Sequence, residues 1–311
     1  MTILRFFFIF VVLILSDMAK GLLVAGIGEA LWDVFPDGAK LGGAPANFAY
    51  HVSRFGIPSV AVSALGEDEL GNLAETELRK KLDISMERVP FPTGTVRVTL
   101  DGNGIPRYEI SEGVAWDNIP LTESLLELAS GCDAVCFGSL AQRNAVSRET
   151  ILAFLDAMPS DAMRIFDINL RQHFYTKEIV ETSLEKSNIL KINDEELKEV
   201  GLMFDIDYLP DTEKCRRLRS YFNLSTLILT CGTNGSYVFA DGVESFLPTP
   251  EVEVADTVGA GDSFSGAFCA GILKGLPIVK AHELAVRVSA FVCTKTGAMP
   301  EIPADIGNDL F

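Results

Sequence analysis

From residue 22 onward the chain alternates short apolar runs with longer amphipathic ones, the pattern of a mainly parallel sheet covered by helices. Residues 22–26 read as a first buried strand, 46–55 as a helix closed by Gly56-Ile57-Pro58, 60–65 as a strand and 71–82 as a helix. Residues 134–137, 164–167, 189–192 and 227–230 read as further strands, with helices over 150–157 and 282–294. One region breaks the rhythm. Residues 93–100 and 107–111 read as two strands joined by Asp101-Gly102-Asn103-Gly104, a hairpin signal because such residues accept positive φ. With residues 31–35 they are expected to form a small antiparallel flap. The fold class is α/β, and 311 residues suit one large domain.

A strand-like stretch, 251–255, leads into Asp256-Thr257-Val258-Gly259-Ala260-Gly261-Asp262, and an apolar helix-like stretch follows over 263–273. Glycines at 259 and 261 allow a tight turn with φ > 0. The amides of Gly259, Ala260 and Gly261 then converge at the start of a helix, where unpaired N–H groups and the helix dipole form an anion hole. A carboxylate at its rim, Asp262, repels phosphate. It makes chemical sense as a base that takes the proton of a hydroxyl attacking phosphorus. The plain alternative is a glycine-rich turn capped by an aspartate.

The formal net charge of −17 argues against a nucleic-acid partner, which requires a basic face. It leaves a phosphorylated ligand open, since local N–H groups and a metal override the global field. The six cysteines are scattered and form no CxxC pair, and His51, His173 and His282 make no ligand pattern. Reduced thiols in the cytosol are expected. There is no GxxxxGK[ST] loop and no protein-kinase motif set, and Gly26-Ile27-Gly28 carries Leu31 where a dinucleotide fingerprint needs its third glycine. Residues 6–15 are unbroken apolar, like the core of an export signal, yet Met18 offers a second start that runs straight into the first strand. Residues 1–17 are therefore expected to be a leader or a mis-assigned start, with a true export signal as the alternative.

A second glycine-rich segment is Gly42-Gly43-Ala44-Pro45-Ala46-Asn47-Phe48-Ala49. Together with 256–262 it resembles the two signatures of the PfkB, or ribokinase-like, carbohydrate kinases, across about residues 22–303. Gly66-Glu67-Asp68-Glu69-Leu70-Gly71, the NxxE segment Asn193-Asp194-Glu195-Glu196 and Thr230-Cys231-Gly232-Thr233-Asn234-Gly235 extend the resemblance. Gly28-Glu29-Ala30-Leu31-Trp32-Asp33 and Asp167-Ile168-Asn169-Leu170-Arg171 make the chain most similar to a fructokinase.

The resemblance implies a ribokinase-like three-layer α/β/α sandwich over residues 18–311, with lid segments at about 31–41 and 93–111. It implies ATP-dependent phosphorylation of a free sugar, D-fructose to D-fructose 6-phosphate, in the cytoplasm. Kinases of ribose, a nucleoside or 2-keto-3-deoxygluconate are the alternatives, and a catalytically inactive sugar- or nucleotide-binding module is the alternative of another class. Mg²⁺ is the implied metal and K⁺ a candidate activator. The implied partners are sugar and ATP, with no nucleic acid, no stable membrane association, and a homodimer through the lid.

By the same resemblance Asp262 is the base, and the amides of Gly259, Ala260 and Gly261 stabilise the transferring group. Asp33, Gly42, Gly43, Asn47, Arg97 and Arg171 hold the acceptor. Asn193 and Glu196 act on Mg²⁺, Glu196 through water, and Thr230, Gly232 and Gly235 border the nucleotide. A monovalent-cation loop falls near Asp256, Val258, Val292, Lys295 and Gly297, with Glu301 where a small polar residue is usual. Simpler readings stand beside these. Gly42 and Gly43 could make only a turn, Asn193 and Glu196 a capping box, Asp33 a pair with a lid arginine, and Arg171 a surface ion pair.

Overall fold

The computed structural model describes residues 21–35, 38–100 and 106–311. The apolar run 6–15, Met18 and the turn 101–104 lie outside them. The strands are β1 (Val24–Ile27), β2 (Leu31–Phe35), β3 (Gly38–Gly42), β4 (Ser59–Gly66), β5 (Asp83–Val89), β6 (Gly94–Leu100), β7 (Pro106–Ile110), β8 (Ala134–Phe137), β9 (Met163–Asp167), β10 (Ile189–Asn193), β11 (Thr226–Thr230), β12 (Ser236–Ala240) and β13 (Val243–Leu247). The helices are α1 (Ala44–Ser53), α2 (Glu69–Arg79), α3 (Glu123–Gly131), α4 (Ala145–Ala157), α5 (Lys177–Lys186), α6 (Asp194–Met203), α7 (Asp211–Tyr221), α8 (Ala260–Leu273) and α9 (Ile278–Cys293).

The large sheet has the order β13-β12-β11-β10-β9-β8-β1-β4-β5. From β5 to β11 every neighbour is parallel, and β12 and β13 add an antiparallel hairpin at one edge. Its central strands are buried on both faces, which is why β1 and β4 read as continuous apolar runs. The period-2 alternation of a strand divides their side chains between two cores. Val24, Ile165, Ile189 and Ile228 face one way and pack with Phe48, Phe268 and Leu284 of α1, α8 and α9. Ala25, Phe166, Leu190 and Leu227 face the other way, toward Phe154, Leu197 and Leu218 of α4, α6 and α7. The result is the three-layer sandwich.

The lid is a second sheet of order β3-β2-β6-β7. It differs from the expected antiparallel flap, because β2 and β6 run parallel while β3 and β7 pair antiparallel at the edges. The chain crosses the main sheet between β2 and β6, so those strands are not a hairpin. The expected strand over 251–255 is also absent: that segment is exposed coil. Strands β5 and β13 escape the sequence reading because they lie at the edges of the sheet, where apolar alternation is diluted, and β12 escapes with its hairpin partner β13.

Asp68 joins lid to body. Its Oδ1 caps α2 by accepting from Gly71 N at 2.7 Å, and its Oδ2 accepts from Thr93 N, just before β6, at 2.8 Å. The Gly66–Gly71 motif is thus an anchor at the base of the lid. Among the described residues, no helix is long and apolar enough to cross a membrane.

Candidate active site

In open parallel sheets, ligand-binding groups gather beyond the carboxyl ends of the strands. Here Glu29 follows β1, Gly138 follows β8, Asp167 ends β9, Asn193 ends β10 and Thr230 ends β11. The register sets Lys191 beside Asp167 and Asn193 beside Thr230. Helix α8 points its N-terminus at the same edge.

That N-terminus is built as the glycine run requires, with two differences. Gly259 is the N-cap with φ 79°, and a side chain there would meet Ala298 Cβ at 2.6 Å. Gly261 does not take positive φ and lies inside the first turn. Its lack of a side chain makes room for the Lys191 ammonium, 2.7 Å from where a Cβ would stand. The Ala260 amide turns back to Thr257 O at 3.3 Å, and the first full helical bond runs from Ser263 N to Gly259 O at 2.8 Å. The amides of Gly261 and Asp262 are thus left for an anion, as the first turn of a helix provides.

Asp262 is half-buried in this turn. Its Oδ2 accepts from Asn47 Nδ2 of α1 at 2.7 Å, so the two glycine-rich segments meet at one carboxylate. Burial and the neighbouring Asp167 charge push the Asp262 carboxyl up to about 6, against the Asn47 hydrogen bond and the Lys191 and Arg171 cations. At neutral pH it is ionised and basic enough to accept a proton.

On the acceptor side, Gly42 and Gly43 let the start of α1 pack against the segment from Glu29 to Asp33. A Cβ on Gly43, whose φ is 130°, would fall 2.4 Å from Glu29 O, and one on Gly42 would fall 2.7 Å from Asp33 Oδ2. Close packing at the junction of β3 and α1 is therefore one reason for glycine at both positions. The dinucleotide-like Gly26-Ile27-Gly28 has the same explanation, since a Cβ on Gly26 would fall 2.1 Å from Pro45 O. Burial raises the Asp33 carboxyl, opposed by Arg171 and Lys40. The Arg171 charge also acts on Glu29 and Asp262, although its side chain is exposed. It is carried by a strained loop, with positive φ at Asn169 (45°) and Gln172 (49°).

Arg97 is not brought to Asp33. In the lid register Arg97 stands beside Val34 and Glu109, whereas Asp33 stands beside Val96, so the two side chains leave opposite faces of the sheet. Arg97 is exposed there, and the expectation that it shares the acceptor with Asp33 is corrected.

On the nucleotide side, Asn193 and Glu196 form a reciprocal capping box for α6: Asn193 Oδ1 accepts from Glu196 N at 2.8 Å, and Glu196 Oε2 accepts from Asn193 N at 2.9 Å. Glu196 Oε1 accepts from Leu170 N at 3.1 Å, which ties the Arg171 loop to α6. With both oxygens engaged by backbone, Glu196 suits contact with a metal through water rather than direct ligation. Among the described residues, no group of three or more His, Cys, Asp or Glu side chains is arranged to hold a metal ion. A hard cation bound here would take its direct ligands from phosphate oxygens and water. Thr230 is followed by a 3₁₀ turn, Gly232–Asn234, with Gly232 exposed and Thr249 Oγ1 donating to Gly232 O at 2.6 Å and accepting from Gly235 N at 3.1 Å.

Beneath the hole lies a network the sequence reading did not single out. Lys191 Nζ donates to Asp167 Oδ1 at 3.0 Å, and Ser265 Oγ of α8 donates to Asp167 Oδ2 at 2.9 Å. Burial alone would lower the Lys191 ammonium, but Asp167, Glu196 and Asp262 together push it up to about 12. Glu29 was also missed as a site residue. It is 4% exposed and lines a cavity with Asp262, Asp167 and Asn169 over a floor of Phe48 and Phe137. The signal for Lys191 was its charge inside an otherwise apolar strand.

The chain is 28% identical over 316 residues to a probable fructokinase-2 of Arabidopsis thaliana, covering 92% of this chain and 94% of the relative. An uncharacterised sugar kinase from Pyrococcus horikoshii superposes with TM-score 0.78 at 27% identity, covering 93% of this chain and 96% of that one. A fructokinase of Xylella fastidiosa, crystallised with bound ATP, superposes with TM-score 0.80 at 21% identity, covering 94% and 98%, a likeness of fold. The profile of the pfkB family carbohydrate kinases matches residues 37–305, a span that contains both glycine-rich segments. The chain belongs to the pfkB family of carbohydrate kinases, and is an ATP-dependent sugar kinase with the ribokinase-like α/β fold.

Proposed function

We propose that this kinase phosphorylates free D-fructose to D-fructose 6-phosphate, with Asp262 as the base. The observation that carries the reading is the meeting of Asn47 and Asp262 at the N-terminus of α8, 2.7 Å apart, between an acceptor side and an anion hole. Fructose as the acceptor rests on the names of relatives such as the Arabidopsis protein and on a fructokinase of Vibrio cholerae with fructose, ADP and calcium bound, which shares the fold at 22% identity. An inactive binding module would have no use for a carboxylate held near pH 6 beside unfilled amides.

In this reading Asp33, Asn47, the backbone at Gly42 and Gly43, and Arg171 orient the sugar. Asn47 keeps the Asp262 oxygen aimed at the attacking hydroxyl. The hydroxyl O–H bond breaks as its oxygen forms the new bond to phosphorus, the proton passes to Asp262, and the bond to the ADP oxygen breaks. The amides of Gly261 and Asp262 and the Lys191 charge offset the negative charge of the transferring group, and positioning with electrostatics carries the rate. Mg²⁺ bound with ATP would neutralise phosphate charge, and Asn193 and Glu196 would be the residues to hold it, through water. Thr230, Gly232 and Gly235 border the nucleotide. Asp256 accepts from Val258 N and Gly297 N, each at 3.1 Å, an arrangement that favours an ordered loop, and activation by K⁺ is tested by exchanging it for Na⁺.

The six cysteines are all free, which suits a cytoplasmic enzyme that uses ATP. The deciding experiment is a coupled assay of ADP formation with fructose, ribose, glucose, a nucleoside and 2-keto-3-deoxygluconate under one condition. A tenfold preference for fructose supports the reading. A tenfold preference for another acceptor keeps the kinase and replaces its substrate.

A further inference from the structure

Glu29 Oε2, on the wall of the acceptor cavity, is a buried oxygen without a partner, and so is Oδ1 of Asn47, whose Nδ2 bonds the cavity residue Asp262. The orientation of the Asn47 amide is fixed, because its Nδ2 faces a carboxylate oxygen that can only accept. The Asn47 orphan is therefore an acceptor, and the Glu29 oxygen is one whenever that carboxyl is ionised. Asp167 and Asp262 line the same cavity, and Asp33 shares the Arg171 cation with Glu29 and Asp262. A buried acceptor left empty costs free energy, so the occupant must bring several hydrogen-bond donors to this wall.

We propose that Glu29 is a specificity-determining contact for the acceptor: its free oxygen accepts a hydroxyl of the sugar and, with the other carboxyls, restricts the site to neutral polyhydroxyl compounds. The proposal rests on the sugar-kinase reading and deepens it. A carboxylate or phosphate on the acceptor would add charge beside Glu29, Asp167 and Asp262, with Arg171 as the cation acting on both Glu29 and Asp262. A free sugar presents hydroxyls and no charge. Burial, reinforced by Asp262 and opposed by the backbone amides of Glu29 and Ala44 and by Arg171, pushes the Glu29 carboxyl up to about 7. It is therefore close to even between donor and acceptor forms at neutral pH, and a donated sugar hydroxyl favours the charged form.

The test compares wild-type enzyme with Glu29→Gln on fructose, 2-keto-3-deoxygluconate and fructose 6-phosphate. The expected result is a wild-type kcat/KM at least about 100-fold higher for fructose than for either anion, since like charges in a cavity are strongly unfavourable. In Glu29→Gln the KM for fructose rises roughly tenfold or more, the KM for ATP stays within about twofold, and the gap to the anionic acceptors narrows. An unchanged fructose KM in folded Glu29→Gln, or a wild type that prefers an anion, overturns the proposal. No turnover of any sugar by wild type sinks the kinase reading instead. Should Glu29→Gln fail to fold, calorimetry of fructose binding to Asp262→Asn at pH 6.5, in buffers of different ionisation enthalpy, decides. Proton release on binding is expected, and a buffer-independent enthalpy overturns the assignment.

Discussion

Asn47 Nδ2 donates to Asp262 Oδ2 at 2.7 Å across 215 residues of sequence. The bond joins the first turns of α1 and α8 and fixes where the carboxylate points. Asp262→Asn should keep sugar and nucleotide binding and lower kcat by about 10²–10⁴, the usual weight of a general base. Wild-type-like turnover in the purified variant removes Asp262 from the chemistry.

Asn47 also lowers the pKa of Asp262, while burial and Asp167 hold it up near 6. The acidic limb of the wild-type kcat/KM profile for the sugar should therefore fall near pH 6. Loss of the Asn47 bond in Asn47→Ala should move that limb to higher pH and lower kcat/KM for the sugar. A limb that stays in place means the limb reports another group.

The two glycines of the anion hole should fail in different ways. Gly259→Ala places a side chain at φ 79° and 2.6 Å from Ala298 Cβ, so it should destabilise the fold by about 1–3 kcal/mol. Gly261→Ala meets only the Lys191 side chain, with Nζ at 2.7 Å, and takes no positive φ. Shifting that buried, Asp167-paired ammonium should lower kcat at a smaller cost in Tm than Gly259→Ala. Thermal unfolding and kinetics on both variants check the contrast, and equal losses of Tm would refute it.

Much of this site was legible in the sequence because small motifs carry it. Glycine spacing disclosed the hole, and Asn47 and Asp33 fell within recognisable segments. Arg97 misled because which face of the lid it occupies depends on register, and a shift by one residue reverses every side chain. Glu29 escaped because a single acid after a strand has no spacing to mark it, and its significance lies in an unpaired oxygen visible only in three dimensions. Likewise, Asn193 and Glu196 carried both a capping and a metal reading, and the capping box became visible only through its paired bonds.

Asp33 is the acceptor-side carboxylate carried by the lid itself, on β2, and Arg171 and Lys40 counter the burial that raises it. Lys40 also stands 3.9 Å from Asp256, a contact from β3 to the segment that leads into the hole. Asp33→Ala should cost roughly 10- to 1000-fold in kcat/KM for the sugar with a smaller change in KM for ATP, because hydrogen bonds to a charged acceptor contribute about 1.5–3 kcal/mol each. Equal losses for both substrates would point to a general role in lid structure.

The Glu29 carboxyl makes stability depend on pH in a direction that can be worked out. Its ordinary value is 4.5 and burial raises it to about 7, so between those values the folded chain holds a proton that the unfolded chain has lost. Stability from this group is thus greatest below pH 4.5 and falls as pH rises toward 7. Glu29→Gln removes the penalty. The variant should gain on the wild type as pH rises through that window, by at most about 3 kcal/mol, and the gain should level off above pH 7. His51 and His282, buried and lowered to about 4, act in the opposite sense, losing stability as pH falls from 6.5 toward 4. They are common to both proteins and cancel in the difference. Denaturant unfolding of wild type and Glu29→Gln at pH 5, 6, 7 and 8 measures it. A difference that is flat across the series would mean that Glu29 is solvated in the folded state.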